Sequence, residues 1–416
     1  MNRVIHVRVG LIAATCLGTA LLAGCVSHPP EDLSRCVPDF ADKEGWHGGD
    51  AAYSISLPGG TAPERRTLWL FGDSFIQTSN AGANSDRRNS ALVHNSIAIS
   101  RCVDGTFTID YAWNDSNDGT PQAFFRPSAE NEFWWPLDGF LHHGKLFIAM
   151  LRVTAAPPDG PLRLPFRLLG TSLIEVDNPT HSPAQWHWKA QPLSSGSKAI
   201  PGAATHLAGN NVLLFSYRND PSGGRSRFLS RLPLSALRTF TQELEPAIQT
   251  LNQQGHWENG FNPDRARVLM PDRSTEMSVS FHPEFDPAHQ WIAVYGAPIQ
   301  VNNDGGGPAR PSGQIYLRSA PGPEGPWSPR FPLARIPERT RPTDPDLACY
   351  AAKEHPGFEA DHRLIISYVC NLFAVVEKNP LATLKKLQRE MSIYRPRVLE
   401  IPVPEHLLTS KEPPPR

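Results

Sequence analysis

Net charge is what this chain most conspicuously lacks. Its 40 Lys and Arg nearly cancel its 41 Asp and Glu, for a formal charge of −1. No basic run follows the N-terminal segment, so the electrostatic footprint of a nucleic-acid binder is missing and no such partner is expected. No Cys-x-x-Cys pair and no His/Cys spacing of a zinc site occurs, and neither a metal nor an organic cofactor is expected. The apolar stretch Val9–Leu22 is shorter than the roughly 20 residues a bilayer-spanning helix needs. Helices alternating with strands, which a parallel α/β sheet demands, are also missing. What remains is turn chemistry around a large apolar reserve. The 42 Pro and 31 Gly are spread without a period among 10 Trp and 19 Phe, in a chain that is 40% hydrophobic. That mixture suits an all-β fold of many turns better than disorder. At 416 residues the chain exceeds an average domain, but barrels and propellers of this length form single units.

The N-terminus reads as an export signal. Arg3 and Arg8 precede the apolar stretch, which ends Leu22-Ala23-Gly24-Cys25, the pattern of a bacterial lipobox. Cleavage before Cys25 and acylation of its thiol would tether residues 25–45, a polar linker, to a membrane, with the outer membrane favoured in a Gram-negative host because Val26 follows. Each buried methylene of such a chain contributes about 0.8 kcal/mol. Export implies an oxidising compartment, so Cys36, Cys102, Cys349 and Cys370 are candidates for two disulfides rather than four free thiols. Cys349 and Cys370 flank one hairpin symmetrically and would face each other, leaving Cys36 to pair with Cys102.

That hairpin is one of two copies. Glu276–Tyr295 aligns with Cys349–Tyr368 at a constant offset of 73 residues: His282-Pro283 over His355-Pro356, Phe285 over Phe358, His289 over His362, Tyr295 over Tyr368. Each copy reads strand, polar turn, apolar strand, and self-similarity at a fixed offset signals stacked or radial units. Five units of about four strands are predicted between residues 46 and 405, with a polar tail over 406–416. The result is an all-β, five-bladed β-propeller with short helical insertions at Leu381–Met391 and Ser235–Gln253. A pair of β-sandwiches is the rival arrangement. The innermost strands should begin near Asp50, Asp138, Thr205, Glu276 and Cys349, the last two being equivalent positions.

Three acids therefore stand at matching points of inner strands: Asp50, Asp138 and Glu276. A single such acid most often satisfies backbone N–H groups. Three converging on one axis cannot all stay ionised cheaply, and a proton-bearing carboxyl beside a carboxylate is what glycoside hydrolysis uses. Trp46, Trp134 and Trp135 offer flat rings for a sugar face, although Trp also fills gaps between blades. Asp73, Arg88, Asn95, His206 and Tyr350 are further candidates for the funnel. A competing pattern, Gly72-Asp73-Ser74 with Asp286-Pro287-Ala288-His289 and Gly209-Asn210-Asn211, mimics the blocks of GDS-type serine esterases. That family is α/β, and the D-x-x-H lies in a repeated turn, so a turn role is the better reading.

Taken in order, Trp46-His47-Gly48-Gly49-Asp50, Leu68-Trp69-Leu70-Phe71-Gly72-Asp73-Ser74-Phe75, His94-Asn95-Ser96, Gly325-Pro326-Trp327 and Ser367-Tyr368-Val369 resemble the domain of unknown function 4185. Some members of that five-bladed family are endo-D-arabinanases of glycoside hydrolase family 183. The resemblance, covering most of residues 46–404, implies a glycan substrate such as an arabinan; a monomer is expected. By analogy with more distant arabinanase propellers it implies Asp50 as base or nucleophile, Asp138 as the orienting residue and Glu276 as acid. Those families place their glutamate in the third blade, whereas Glu276 falls in the fourth. The other class of function is a non-catalytic glycan-binding or envelope scaffold lipoprotein.

Overall fold

The tetrapeptide Leu68-Trp69-Leu70-Phe71 shows why the strands are apolar runs and not alternations. In the computed structural model, Leu68 and Leu70 enter one apolar layer, with Ile97, Ile148 and Ile174. Trp69 and Phe71 enter another, with Phe358 and Ile365. Successive side chains of a strand point to opposite faces, and here both faces are buried. The same division recurs in Leu146–Leu151, whose even and odd positions part into two layers. It recurs again in Val212–Phe215, Trp291–Tyr295 and Leu364–Tyr368. Each fully buried Leu, Ile or Phe contributes on the order of 1.5–3 kcal/mol.

The structure describes residues 36–408 except 59–64, 79–85, 104, 160–163, 220–224, 239, 241–242, 273, 275, 298, 301–309, 312, 340–345, 359–361 and 374–378. The export signal and Cys25 lie outside the described residues. Among the described residues, five antiparallel sheets of three to five strands follow in chain order, beside two small two-stranded pairs. Blade 1 runs outward from Trp46–Leu57 through Arg65–Gln77 and Ser96–Val103 to Thr106–Ala112, and blade 2 from Glu132–His142 through Lys145–Asp159 and Leu164–Val176 to Trp188–Ser195. Blade 3 begins at Ala199–Ala208, blade 4 at Ser278–Phe281 and blade 5 at Leu347–Glu354. Each of these first strands touches the first strands of both neighbouring blades, and the last touches Trp46–Leu57. The ring is closed, and the fold is the expected five-bladed propeller.

Two disulfides join Cys36 to Cys102 and Cys349 to Cys370, the latter directly across paired strands. The expected linker is not all tether. Phe40 is buried, edge-on to Trp69 at 4.8 Å and to Phe71 at 5.8 Å. At the other end Leu407 is buried in the layer between blades 4 and 5, inside the expected tail. The helix Pro380–Arg389 is capped by Asn379, whose side chain accepts from Ala382 N–H. Ser235–Gln253 is not a helix. It forms two short 3-10 turns, Leu234–Leu237 and Glu245–Ala247, then the strand Gln249–Leu251. Pro246 supplies no N–H to a helix interior, and Leu237, Phe240, Leu244 and Ile248 are drawn individually into the layer between blades 2 and 3.

The repeat holds for the hairpins but not for their inner strands. Ser278 faces Val294, whereas Lys353 faces Ser367, the residue matching Val294. Lys353, not Ala351, therefore occupies the place of Ser278, and Glu276 is not the counterpart of Cys349. The slip is made by a bulge between Tyr350 and Lys353, where Ala351 takes a φ of 58°.

Blades 4 and 5 are also joined by charge. His282 Nε2 lies 2.8 Å from Glu354 Oε1, with both side chains buried, and Ser280 Oγ donates to Glu354 Oε2. Burial alone would lower the imidazole's pKa, but Glu354 and Glu284 raise it to about 9. A folded-state value above the unfolded one of about 6.5 stabilises fully below pH 6.5, and the benefit fades as pH rises through about 9. His282→Ala should cost about 3–5 kcal/mol by leaving Glu354 buried and unpaired. The gap between wild type and variant, measured by denaturant unfolding, should narrow from pH 6 to pH 10.

Candidate active site

The peptide Gly48-Gly49-Asp50-Ala51-Ala52 places the first carboxylate. Gly48 has a φ of 122°, and a Cβ there would collide with the Tyr394 carbonyl. Ala51 and Ala52 sit at φ of 72° and 59°, where residues with side chains are disfavoured, and the pairing register shifts around them. Gly72 on the next strand must lack a side chain, because a Cβ would strike Asp50 Oδ1. The glycines of both sequence motifs thus shape the seat of one carboxylate. Tyr350, from blade 5, donates its hydroxyl to Asp50 Oδ2 at 2.7 Å.

Asp138 bridges blades 2 and 3. Its Oδ2 accepts from Thr205 N at 2.7 Å and Thr205 Oγ1 at 3.2 Å, and its Oδ1 accepts from Gly139 N at 2.8 Å. Glu276 stands just before Ser278–Phe281, half-buried, with Oε1 3.7 Å from Lys353 Nζ. Lys353 is 1% exposed. It donates to Ala51 O at 2.9 Å and Ala351 O at 3.1 Å, and lies 4.2 Å over the Tyr53 ring. The three predicted acids therefore share one electrostatic neighbourhood. Burial, then Asp73 and Glu276, push Asp50 up to about 8, against the pull of Tyr350 and Lys353. Burial also raises Asp138, but only to about 6, because its three hydrogen bonds and Lys353 favour the charged form.

Lys353 escaped the sequence reading. Its signal is a pair of charged residues, Lys353 and Glu354, at the end of the strand Leu347–Glu354, whose other residues carry no charge. Below the ammonium an axial cavity of about 270 Å³ begins at Tyr53, Asp138, Thr205, Met277 and Lys353 and follows the later residues of the inner strands. Asp50, Glu276 and Tyr350 lie earlier on the chain and outside that cavity.

The remaining candidates divide. Asp73 takes an orienting place, accepting from Trp135 Nε1 at 2.7 Å and from His94 Nδ1 at 3.0 Å on the same oxygen. Trp135 is half-buried beside Phe133 and Phe166. His206 lines the axial cavity against Trp291, its pKa lowered by burial. Trp46 is 0% exposed and stacked 4.2 Å from Tyr111, so no sugar reaches its face. Trp134 is buried with its Nε1 on Glu132. Asn95 is consumed by Phe125 and Trp134 backbone groups. Arg88 points to solvent and pairs with Asp86 at 2.7 Å. Its neighbour Arg87 is buried and holds the carbonyls of His47, Leu387, Glu390 and Ile393. The esterase pattern does not assemble. Ser74 is fully buried against Ser96 and the Gly72 carbonyl. His289 bonds Ser319, while Asp286 caps its own turn at Ala288 N–H.

Comparison with known proteins supports the architecture. A family model, domain of unknown function DUF5005, matches residues 39–199, the first two blades. It is a different domain of unknown function from the one the motifs resemble. No curated protein matches the chain. Among solved structures, a candidate hydrolase of Bacteroides ovatus superposes with a TM-score of 0.58 at 16% identity, covering 86% of each chain. An α-L-arabinofuranosidase of Lactobacillus brevis gives 0.44 at 12% identity over 87% of this chain and 93% of that one. An α-L-arabinanase of Cellvibrio cellulosa gives 0.40 at 9% identity over 85% and 91%.

Because the Tyr350 hydroxyl favours the Asp50 carboxylate, Tyr350→Phe should move the Asp50 titration above about 8. Carboxyl-carbon NMR across pH 5 to 10 reads this directly; an unmoved midpoint would remove Tyr350 from the site.

Proposed function

We propose that this protein is an exported, lipid-anchored glycoside hydrolase that cleaves a furanose-containing polysaccharide such as an arabinan. The observation that carries the reading is the unequal pair at the axis: Asp50, raised to about 8, beside Glu276, ion-paired with Lys353 at 3.7 Å. Glycoside hydrolysis needs one carboxyl to deliver a proton to the leaving oxygen and one carboxylate to activate water or attack the sugar. Burial and like charge raise one such carboxyl in this way. The raised pKa suits Asp50 to the part of proton donor, the reverse of the role implied for it by the sequence resemblance. Asp138, fixed by Thr205 and Gly139, suits the orienting part it was given. Half-buried Trp135 is the aromatic best disposed toward a sugar face. The choice of an arabinan rests on the motif resemblance to the domain of unknown function 4185.

Two tests follow. Soluble protein lacking the first 25 residues should release oligosaccharides from plant L-arabinan or from a D-arabinan. Asp50→Asn and Glu276→Gln should each lower kcat at least about 10²-fold. With Asp50 as acid, kcat/KM should fall as pH rises through about 8, and a rate that instead keeps climbing would exclude that role. Binding of either polymer without turnover would favour the scaffold class. In the full chain, Cys25→Ala should shift the protein from the membrane to the soluble fraction and abolish incorporation of labelled palmitate.

A further inference from the structure

Two backbone irregularities in different blades converge on one side chain. In blade 1 the register shifts between Ala51 and Tyr53, and in blade 5 between Tyr350 and Lys353. At each, an alanine adopts positive φ, 72° at Ala51 and 58° at Ala351. The carbonyls of these two alanines are the ones that receive the Lys353 ammonium, at 2.9 and 3.1 Å. An ammonium has three donors; with two so fixed, the third is left for Glu276 Oε1 at 3.7 Å. The Tyr53 ring, 4.2 Å away, closes the remaining side.

We propose that Lys353 is the positioning residue of the carboxylate cluster: its ammonium anchors Glu276 at the axis and supplies the positive charge around which Asp50, Asp138 and Glu276 are arranged. This inference rests on the hydrolase reading and deepens it, assigning the part played by a residue that acts through the acids. Strained, side-chain-bearing positions persist where the surroundings over-determine them, and cluster at functional sites. A lysine serving only to join blades 5 and 1 would need the two carbonyls but not the three acids. The groups that act on its charge come from every side: Asp50 of blade 1, Asp138 of blade 2 and Glu276 before blade 4. Tyr53 lies under it, and just past the end of its strand His355 is driven down to about 3 by burial and then by Lys353 itself. Burial lowers the Lys353 pKa, while the three carboxylates oppose that fall, Glu276 most strongly.

The test titrates the soluble mature chain by NMR, following carboxyl carbons and lysine side-chain nitrogens. In Lys353→Met the Asp50 and Asp138 midpoints should rise, because the ammonium favours both charged forms, while Lys353→Arg should leave them near wild type. The alkaline limb of kcat/KM should move with Asp50. Thermal unfolding reports whether the variants fold. Should Lys353→Met fail to fold, the reciprocal arm decides: in Glu276→Gln the Lys353 nitrogen should lose its proton at lower pH than in wild type. Unmoved carboxyl midpoints in folded Lys353→Met, or an unmoved lysine midpoint in Glu276→Gln, would overturn the assignment. Titrations that move as expected in a protein with no turnover on any glycan would sink the hydrolase reading and leave the anchoring role standing. Turnover with static titrations would do the reverse.

Discussion

Burial of a strand on both of its faces is the constraint from which this molecule follows. The second strand of each blade packs against two neighbours, so its side chains are mostly apolar, and five such strands supply five apolar layers. Closure of the ring uses the same chemistry as every other gap: Trp69 and Phe71 meet Phe358 and Ile365 much as Leu68 and Leu70 meet Ile148. At the inner strands five chain segments approach one axis and no sheet lies beyond them, so charged side chains can meet there. Lys353 and the three acids occur together at that convergence, while other buried charges, such as Arg318 with Asp272, are paired within the blades.

The blades were legible in the sequence for the same reason. A run such as Leu146–Leu151 between polar turns has few other folds available to it, and the His-Pro turns repeat with enough identity to fix the unit. Ser235–Gln253 was misread because its apolar residues have helical spacing, yet each belongs to a different contact of one interblade layer, and Pro246 breaks the ladder a helix would need. The inner-strand register was illegible because a bulge alters pairing without altering residue count. Only the partner of Lys353 reveals that the repeat has slipped.

At the site, the glycines were the readable signal. Gly48, Gly49 and Gly72 stand where a side chain would meet Tyr394, Ser74 or Asp50, and such residues mark the acid beside them. Aromatics were a poor guide. Trp46, Trp134 and Trp135 are indistinguishable as letters, but two are buried and one is half-exposed, a distinction made by tertiary packing. Lys353 could not be found from spacing at all, since its partners come from Ala51, Ala351 and Glu276, which no local pattern connects.

The division of roles between Asp50 and Glu276 shows why residue type does not settle acid from base. Glutamate is the slightly weaker acid in water, and that preference is small beside what the axis imposes. Asp50 has Asp73 and Glu276 as charged neighbours and Tyr350 as its hydrogen-bond donor. Glu276 has an ammonium whose other donors are committed to backbone. Burial and two like charges outweigh the tyrosine hydroxyl that favours the Asp50 carboxylate, so a proton is readily held on that aspartate. The backbone cost of this arrangement falls on Ala51, Ala52 and Ala351 at positive φ, on the order of 1 kcal/mol or more each. Strain of that size is sustainable only beside layers as fully buried as the five between the blades, and the scaffold's uniform apolar packing is what permits its irregular centre.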